Sequence, residues 1–320
     1  MRNLRSILVF HPALWGLVVL QSLVIALWIA IDPRISFQPT NIDHLLLAFG
    51  ACFIVIAVIC HKFPASGRPA IAERARLLAI GLIFMLAMFV GIRLLNYLTM
   101  SLAFPLADDL LDSWDKAIGI DWYAYASGLG RYPEMLTYIQ LPYTLTIPAV
   151  TTLFMALVLF GAVERAKEFA ALLYMGALVT VCVSGFFPAE AAMARHGDEH
   201  LFSVYGAQAG VYHMEALKTL REAKDIVLSF VDLPGLATFP SFHTIVGLLI
   251  VYAARDNIIT LVPAGIWSAA MLLATPVYGG HYFIDLIAGF FVTAALASAY
   301  AMVKATPFEV PRMAATDVSS

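Results

Sequence analysis

The segment YGGHYFIDLIAGF, Tyr278 to Phe290, sets a histidine and an aspartate four residues apart and then enters an apolar run that continues to about residue 303. Four residues is close to one helical turn, so His281 and Asp285 share a face of the helix that starts here. An apolar run of about 20 residues is what a hydrocarbon layer about 30 Å thick demands of a crossing helix. The segment reads as a membrane span with a polar head, and that reading sets the fold.

The rest of the chain agrees. Of its 320 residues 61% are hydrophobic and 13% charged, with a mean hydropathy of +0.84, a composition unlike that of a soluble domain. A membrane β-barrel would show short segments of alternating polarity, and these are absent. The expected fold is therefore an all-α integral membrane protein with about eight spans, near 7–31, 43–60, 77–101, 135–160, 169–187, 241–254, 259–277 and 281–303. The opening MRNLR could imitate a signal peptide, but its apolar run reaches Ile31 with no small-residue cleavage pattern, so it reads as a retained first span.

An even number of spans puts both termini on one side. With the N-terminus cytoplasmic, eleven Lys and Arg fall on that side, seven on the other and one, Arg93, inside the third span. The positive-inside rule favours that orientation, in a plasma or bacterial inner membrane. The net charge of −3 gives no reason to expect nucleic acid. Cys52, Cys60 and Cys182 all lie in apolar runs and make neither a disulfide framework nor a metal site.

Two connecting segments, both on the outer side, are long. In 105–134, Leu106, Leu110, Leu111, Trp114 and Ile118 follow one helical face with Asp108, Asp109, Asp112 and Asp115 largely elsewhere, as in an interfacial helix. The other, 188–240, holds most of the polar residues. The domain reading is two N-terminal spans over 1–76, a membrane domain over 77–304 and a flexible tail over 305–320.

A second histidine opens the sixth span, in TFPSFHTIVG, Thr238 to Gly247. Pro240 suits a helix start, which puts Ser241, Phe242 and His243 in the first turn, where free N–H groups favour an anion. Alone, a histidine at a helix start near an interface is more often structural. The topology, drawn without reference to either motif, nevertheless sets His243 and His281 at one depth on the outer side. An aspartate on one ring nitrogen of His281 leaves the other poised, the orienter-plus-base logic of catalytic triads. Gly279 and Gly280 allow a tight turn and close approach by a ligand. Elsewhere, His196 and His200 would need a helix and a third ligand to hold a metal, and His-Gly-Asp reads as a turn instead. Arg93 and Asn96 read as snorkelling or internally paired.

These residues resemble the type 2 phosphatidic acid phosphatase (PAP2) superfamily. Pro240-Ser241-Phe242-His243 is similar to its Pro-Ser-Gly-His motif, and Ala274-Thr275 followed by His281 and Asp285 is similar to its Ser-Arg, five residues, His-x-x-x-Asp motif. TFPSFH, TPVYGGHYFIDLIAG and DKAIGIDW resemble most the inositol phosphorylceramide synthase branch. The resemblance implies a PAP2-like bundle made by the last six spans and a lipid phosphate substrate. It implies His281 as nucleophile, Asp285 as its orienter, His243 as general acid and then base, and Ser241 as a phosphate contact, with no metal or cofactor. Water, a polyol or a lipid alcohol would accept the phosphoryl group. Thr275 stands where the family has its arginine, so positive charge must come from elsewhere. Lys218 and Arg221, three apart on one helical face, are the expected phosphate clamp, with Lys224 a weaker candidate. A transporter or a catalytically degenerate lipid-binding protein is the competing reading. Against a transporter stand the absence of an inverted repeat and the scarcity of ionisable residues at mid-membrane.

Overall fold

The computed structural model describes residues 10–37, 47, 50, 51, 54, 69–228 and 233–305. Most of the expected second span, 43–60, the 305–320 tail past its first residue, and Cys52 and Cys60 lie outside the described residues. The described chain is helical, with helices α1 (Pro12–Ile31), α2 (Pro69–Met100), α3 (Asp108–Ala117), α4 (Trp122–Leu129), α5 (Pro133–Thr144), α6 (Thr146–Leu159), α7 (Val163–Phe186), α8 (Ala192–His196), α9 (Glu199–Tyr205), α10 (Met214–Glu222), α11 (Phe242–Ala254), α12 (Ile258–Tyr278) and α13 (Phe283–Ala305). Strands β1 (Ile35–Phe37) and β2 (Ile226–Leu228) pair in parallel, with Ile35 opposite Ile226.

Five of these helices, α1, α2, α7, α12 and α13, are long and apolar enough to cross a membrane. They coincide with the first, third, fifth, seventh and eighth expected spans. The fourth is not one straight helix. Its place is taken by α5 and α6, which meet at a 60° bend. Pro142 and Pro148 each lack the N–H that would close a helical turn, and at the bend the Thr146 hydroxyl donates to the Tyr143 carbonyl at 2.6 Å. The sixth, α11, is an apolar helix of 13 residues, about 20 Å long at 1.5 Å per residue and so shorter than the layer it was expected to cross.

Helix α7 is the core of the bundle, packed by α2, α6, α11 and α13. Phe84, Phe154, Tyr174 and Ile245 meet there with almost no exposure. The Tyr174 hydroxyl donates to Gln21 at 2.9 Å, tying α1 to this core. Gly289 lets α13 lie against the start of α11, since a Cβ there would stand 2.7 Å from the Ser241 carbonyl oxygen.

The connections gather at two ends. At one, Arg255 pairs with buried Glu168 at 3.1 Å, Arg165 pairs with Asp256, and Arg74 donates to the Leu159 carbonyl at 3.2 Å. At the other, Ala107 N–H bonds the Pro188 carbonyl at 2.7 Å and Ala192 N–H bonds that of Gly280 at 2.7 Å. Both long connecting segments and both histidine motifs lie at this second end.

Helix α3 differs in one respect from its expected amphipathic form. Leu106, Leu110 and Ile118 are exposed, but Asp112 and Asp115 are buried with Leu111. These aspartates tie the loops of this end together, and such long-range partners leave no trace in a helical periodicity.

Candidate active site

Two helix starts hold the histidines. Ser241 precedes α11 and caps it, its Oγ accepting from Thr244 N–H at 3.3 Å. The start of α13 is capped from another helix: the Asp115 carboxylate accepts from the amides of Phe283 at 2.8 Å and Ile284 at 2.7 Å. Burial pushes the Asp115 carboxyl up, and these two amide bonds oppose that shift. Trp122 Nε1–H donates to the His281 carbonyl at 3.0 Å, and the Tyr282 hydroxyl to Asp108 at 2.9 Å. Gly280 takes a φ of +69°, the left-handed turn expected of the glycine pair. The His281 segment is thus fixed on both sides before any ligand arrives.

The two histidines converge. Their ring centroids are 6.2 Å apart and the rings are inclined at 72°. His281 Nδ1 bonds Asp285 Oδ2 at 3.0 Å, and the same oxygen accepts from Tyr282 N–H at 3.1 Å. Asp285 is fully buried, and its other carboxylate oxygen has no partner among the described residues. The Thr238 backbone is a further hydrogen-bonding neighbour of the His281 ring. The two motifs are joined directly, since Ser241 N–H bonds the Asp285 carbonyl at 2.9 Å. His243 stacks on Tyr143, centroids 4.1 Å apart.

Both imidazoles line a cavity of about 320 Å³. Arg93 and Asn96 of α2, Tyr143, Thr180, His213 and Thr238 line it too. Four of their buried polar atoms have no partner among the described residues: Asn96 Nδ2, Thr180 Oγ1, His213 Nδ1 and Thr238 Oγ1. Buried polar atoms are rarely left unpaired, so this set is built to meet a ligand or water. His213 Nε2 bonds the Glu190 carbonyl at 2.7 Å, which makes it the N–H of a neutral ring and Nδ1 an acceptor. Burial pushes the pKa of His213 down to about 4, so the ring is neutral near pH 7.

The other expected site residues lie elsewhere. Ser241 is buried, spends its Oγ on the helix cap, and does not line the cavity. Lys218 and Arg221 do share α10, but that helix buries Leu217 and Leu220, so its basic side turns away. Lys218 is exposed, Arg221 donates to the Phe104 carbonyl at 2.8 Å, and neither lines the cavity. Lys224 is exposed as well. His196 accepts a structural role, bonding Asp112 at 2.8 Å and stacking on Trp122. The sequence reading takes Arg93 and Asn96 as snorkelling or internally paired, and passes over His213 and Thr238 as site residues. An ionisable residue inside a span is a functional candidate by default, which was a signal for Arg93. Nothing local marked His213.

No curated protein and no solved structure matches the chain. Comparison with known families does give a match: residues 109–300, well over half the chain, fit the PAP2 superfamily. The matched region takes in α3 past its first residue, all of α4 to α12 and most of α13, with both histidines and Asp285; α2 lies outside it. The histidine pair beside this cavity, one ring held by an aspartate, therefore sits within a recognised family domain, and the chain belongs to the PAP2 superfamily.

Proposed function

We propose that this protein is a membrane phosphatase or phosphotransferase acting on a lipid phosphate ester, with its site at the extracytoplasmic end of the bundle. The family suggests phosphatase-type chemistry on phosphate esters. The observation that carries the reading further is the 6.2 Å between the His243 and His281 rings. Rings this close can both reach one phosphoryl group, one imidazole making the near-attack contact with phosphorus and the other a hydrogen bond to one of its oxygens.

In the mechanism the Asp285 carboxylate accepts from His281 Nδ1–H and leaves the Nε2 lone pair as nucleophile. Nε2 attacks phosphorus, the bond to the leaving alkoxide breaks, and His243 gives that oxygen a proton. The result is a phosphohistidine whose ring carries positive charge beside Asp285. His243, now unprotonated, takes a proton from the incoming water or alcohol as its oxygen attacks phosphorus, and His281 is released. The Thr238 contact to the ring is given up as the phosphoryl group enters.

Two acceptors are open to this intermediate, and the cavity favours an alcohol over water alone. Neutral His213 Nδ1 accepts a hydroxyl proton, Asn96 Nδ2 donates, and Thr180 and Thr238 do either. Such a set suits a polyol such as inositol, either as the acceptor or as part of a headgroup passed to a lipid alcohol. The test is to give the detergent-solubilised protein labelled phospholipids and prenyl phosphates, with and without inositol, and to identify products by mass spectrometry. A phosphorylated alcohol product supports transfer, and free phosphate supports hydrolysis. Turnover at the wild-type rate by folded His281→Ala or His243→Ala would reject the mechanism, while binding without any product would favour a degenerate lipid-binding protein.

A further inference from the structure

The family's motif arginine is replaced here by Thr275, which is buried and bonds its own helix at Met271 O, 2.8 Å away. Among the described residues that line the histidine cavity, Arg93 is the one Lys or Arg. It comes from α2, outside the region matched to the family. Among the described residues one of its N–H groups is engaged, Nη1 to the Leu233 carbonyl at 2.9 Å. A guanidinium has five such donors in a planar fork suited to phosphate.

Arg93 also lines a second space. An apolar groove of about 450 Å³ runs along α2 and α6. On α2 it is floored by Leu82, Leu86, Phe89 and Val90 below Arg93, a single helical face, and it is closed by Ile147 and Thr151 of α6. Phe89, Arg93 and Ile147 border both spaces, so the groove and the histidine cavity meet there. From Leu82 to Arg93 the helix rises about 16 Å, close to the half-thickness of a hydrocarbon layer of about 30 Å. Helix α2 is one of the helices apolar and long enough to lie in that layer.

We propose that Arg93 anchors the phosphate of the substrate and that the α2/α6 groove holds the substrate's hydrocarbon chain, so that the lipid lies with its ester between the two histidines. The proposal rests on the functional reading above and names the part of this chain that does the work of the missing arginine. A purely structural Arg93, serving only to hold the Leu233 carbonyl, is the alternative. Charge and chain contacts separate the two.

The experiment uses the His281→Ala protein in nanodiscs, where binding is read without turnover, so its result stands apart from the success or failure of the catalytic assay. The probe is phosphatidic acid carrying a diazirine in its acyl chain, with diacylglycerol bearing the same chain as the neutral control. Cross-links are mapped by mass spectrometry. Phosphatidic acid is expected to label residues 82–94 and 147–151 above the outward faces of α12 and α13, and diacylglycerol is not. Added Arg93→Gln should raise the half-saturating probe amount about 10- to 100-fold, the range for loss of a hydrogen bond to a charged group. Arg93→Lys should raise it less, and Leu86→Trp should abolish groove labelling by filling the space. Equal labelling of groove and outward faces, equal labelling by the neutral lipid, or unchanged saturation in Arg93→Gln would overturn the proposal. Should Arg93→Gln fail to fold, Leu86→Trp and Arg93→Lys decide: unchanged labelling in the first, or a loss in the second as large as that in Leu86→Trp, overturns it.

Discussion

Replacing Asp285 by asparagine removes a charge from the site with little change of shape. Asp285 Oδ2 accepts from His281 Nδ1 at 3.0 Å and from Tyr282 N–H at 3.1 Å, while Oδ1 is buried without a partner among the described residues. An amide oxygen in the place of Oδ2 keeps both bonds and puts the NH2 where Oδ1 was. In the resting site the loss is the difference between a charged and a neutral hydrogen bond, about 1 kcal/mol. It grows as the ring becomes cationic during attack. Unit charges about 4 Å apart interact by about 4 kcal/mol at an effective dielectric of 20, and a transition state with half that charge on the ring loses about 2 kcal/mol beyond what the resting site loses. That predicts a fall in kcat of about 30-fold. The assay is steady-state product formation in detergent, with thermal unfolding measured on the same sample. KM and the melting temperature should change little. A folded Asp285→Asn protein within threefold of the wild-type kcat would refute the orienter role.

Three further outcomes follow from the same end of the bundle. His213 has a pKa lowered from 6.5 to about 4 by burial, so the folded state favours the neutral ring; its contribution to stability is complete above pH 6.5 and is lost as the pH falls toward 4, by about 3 kcal/mol in all. Thermal melts across that range should show a steeper acid loss in the wild type than in His213→Gln, and parallel curves would contradict this. Gly280→Ala should lower the melting temperature, since φ of +69° alone costs a side chain about 1–2 kcal/mol and a Cβ would also strike the Gly210 carbonyl; an unchanged melt would show that the turn relaxes freely. Ser241→Ala separates two roles: loss of the α11 cap costs about 1 kcal/mol of stability with kcat/KM nearly intact, whereas a drop of tenfold or more in kcat/KM at unchanged stability would restore Ser241 as a phosphate contact.

Much of the helical plan was legible because apolar run length is a local property. Five long helices fall where the hydropathy places them, and the Gly279-Gly280 turn follows from residue type. The bend between α5 and α6 was legible in principle, since Pro142 and Pro148 are visible in the sequence, yet a window average reads across them. The meeting of His243 and His281 followed from counting spans, 38 positions being bridged by two helices and their loops. What the sequence hid was contact at long range. Arg93 reaches Leu233 and Asn96 reaches Leu236 across 140 positions, so nothing near either residue tells of the cavity they line. The same holds for Asp115, whose partners at Phe283 and Ile284 are 168 and 169 positions away. Lys218 and Arg221 show the opposite case: their local spacing makes a good clamp, but α10 buries its leucines, leaves Lys218 exposed and engages Arg221 with the Phe104 carbonyl.

The central claim is that the two imidazoles bracket one phosphoryl group, and an experimental structure of the protein with vanadate tests it most directly. Vanadium bonded to His281 Nε2, with an apical oxygen within hydrogen-bonding distance of His243 and Asp285 still on Nδ1, is the predicted result. Vanadate bound away from the pair, or the two rings drawn too far apart to touch one oxyanion, would contradict it.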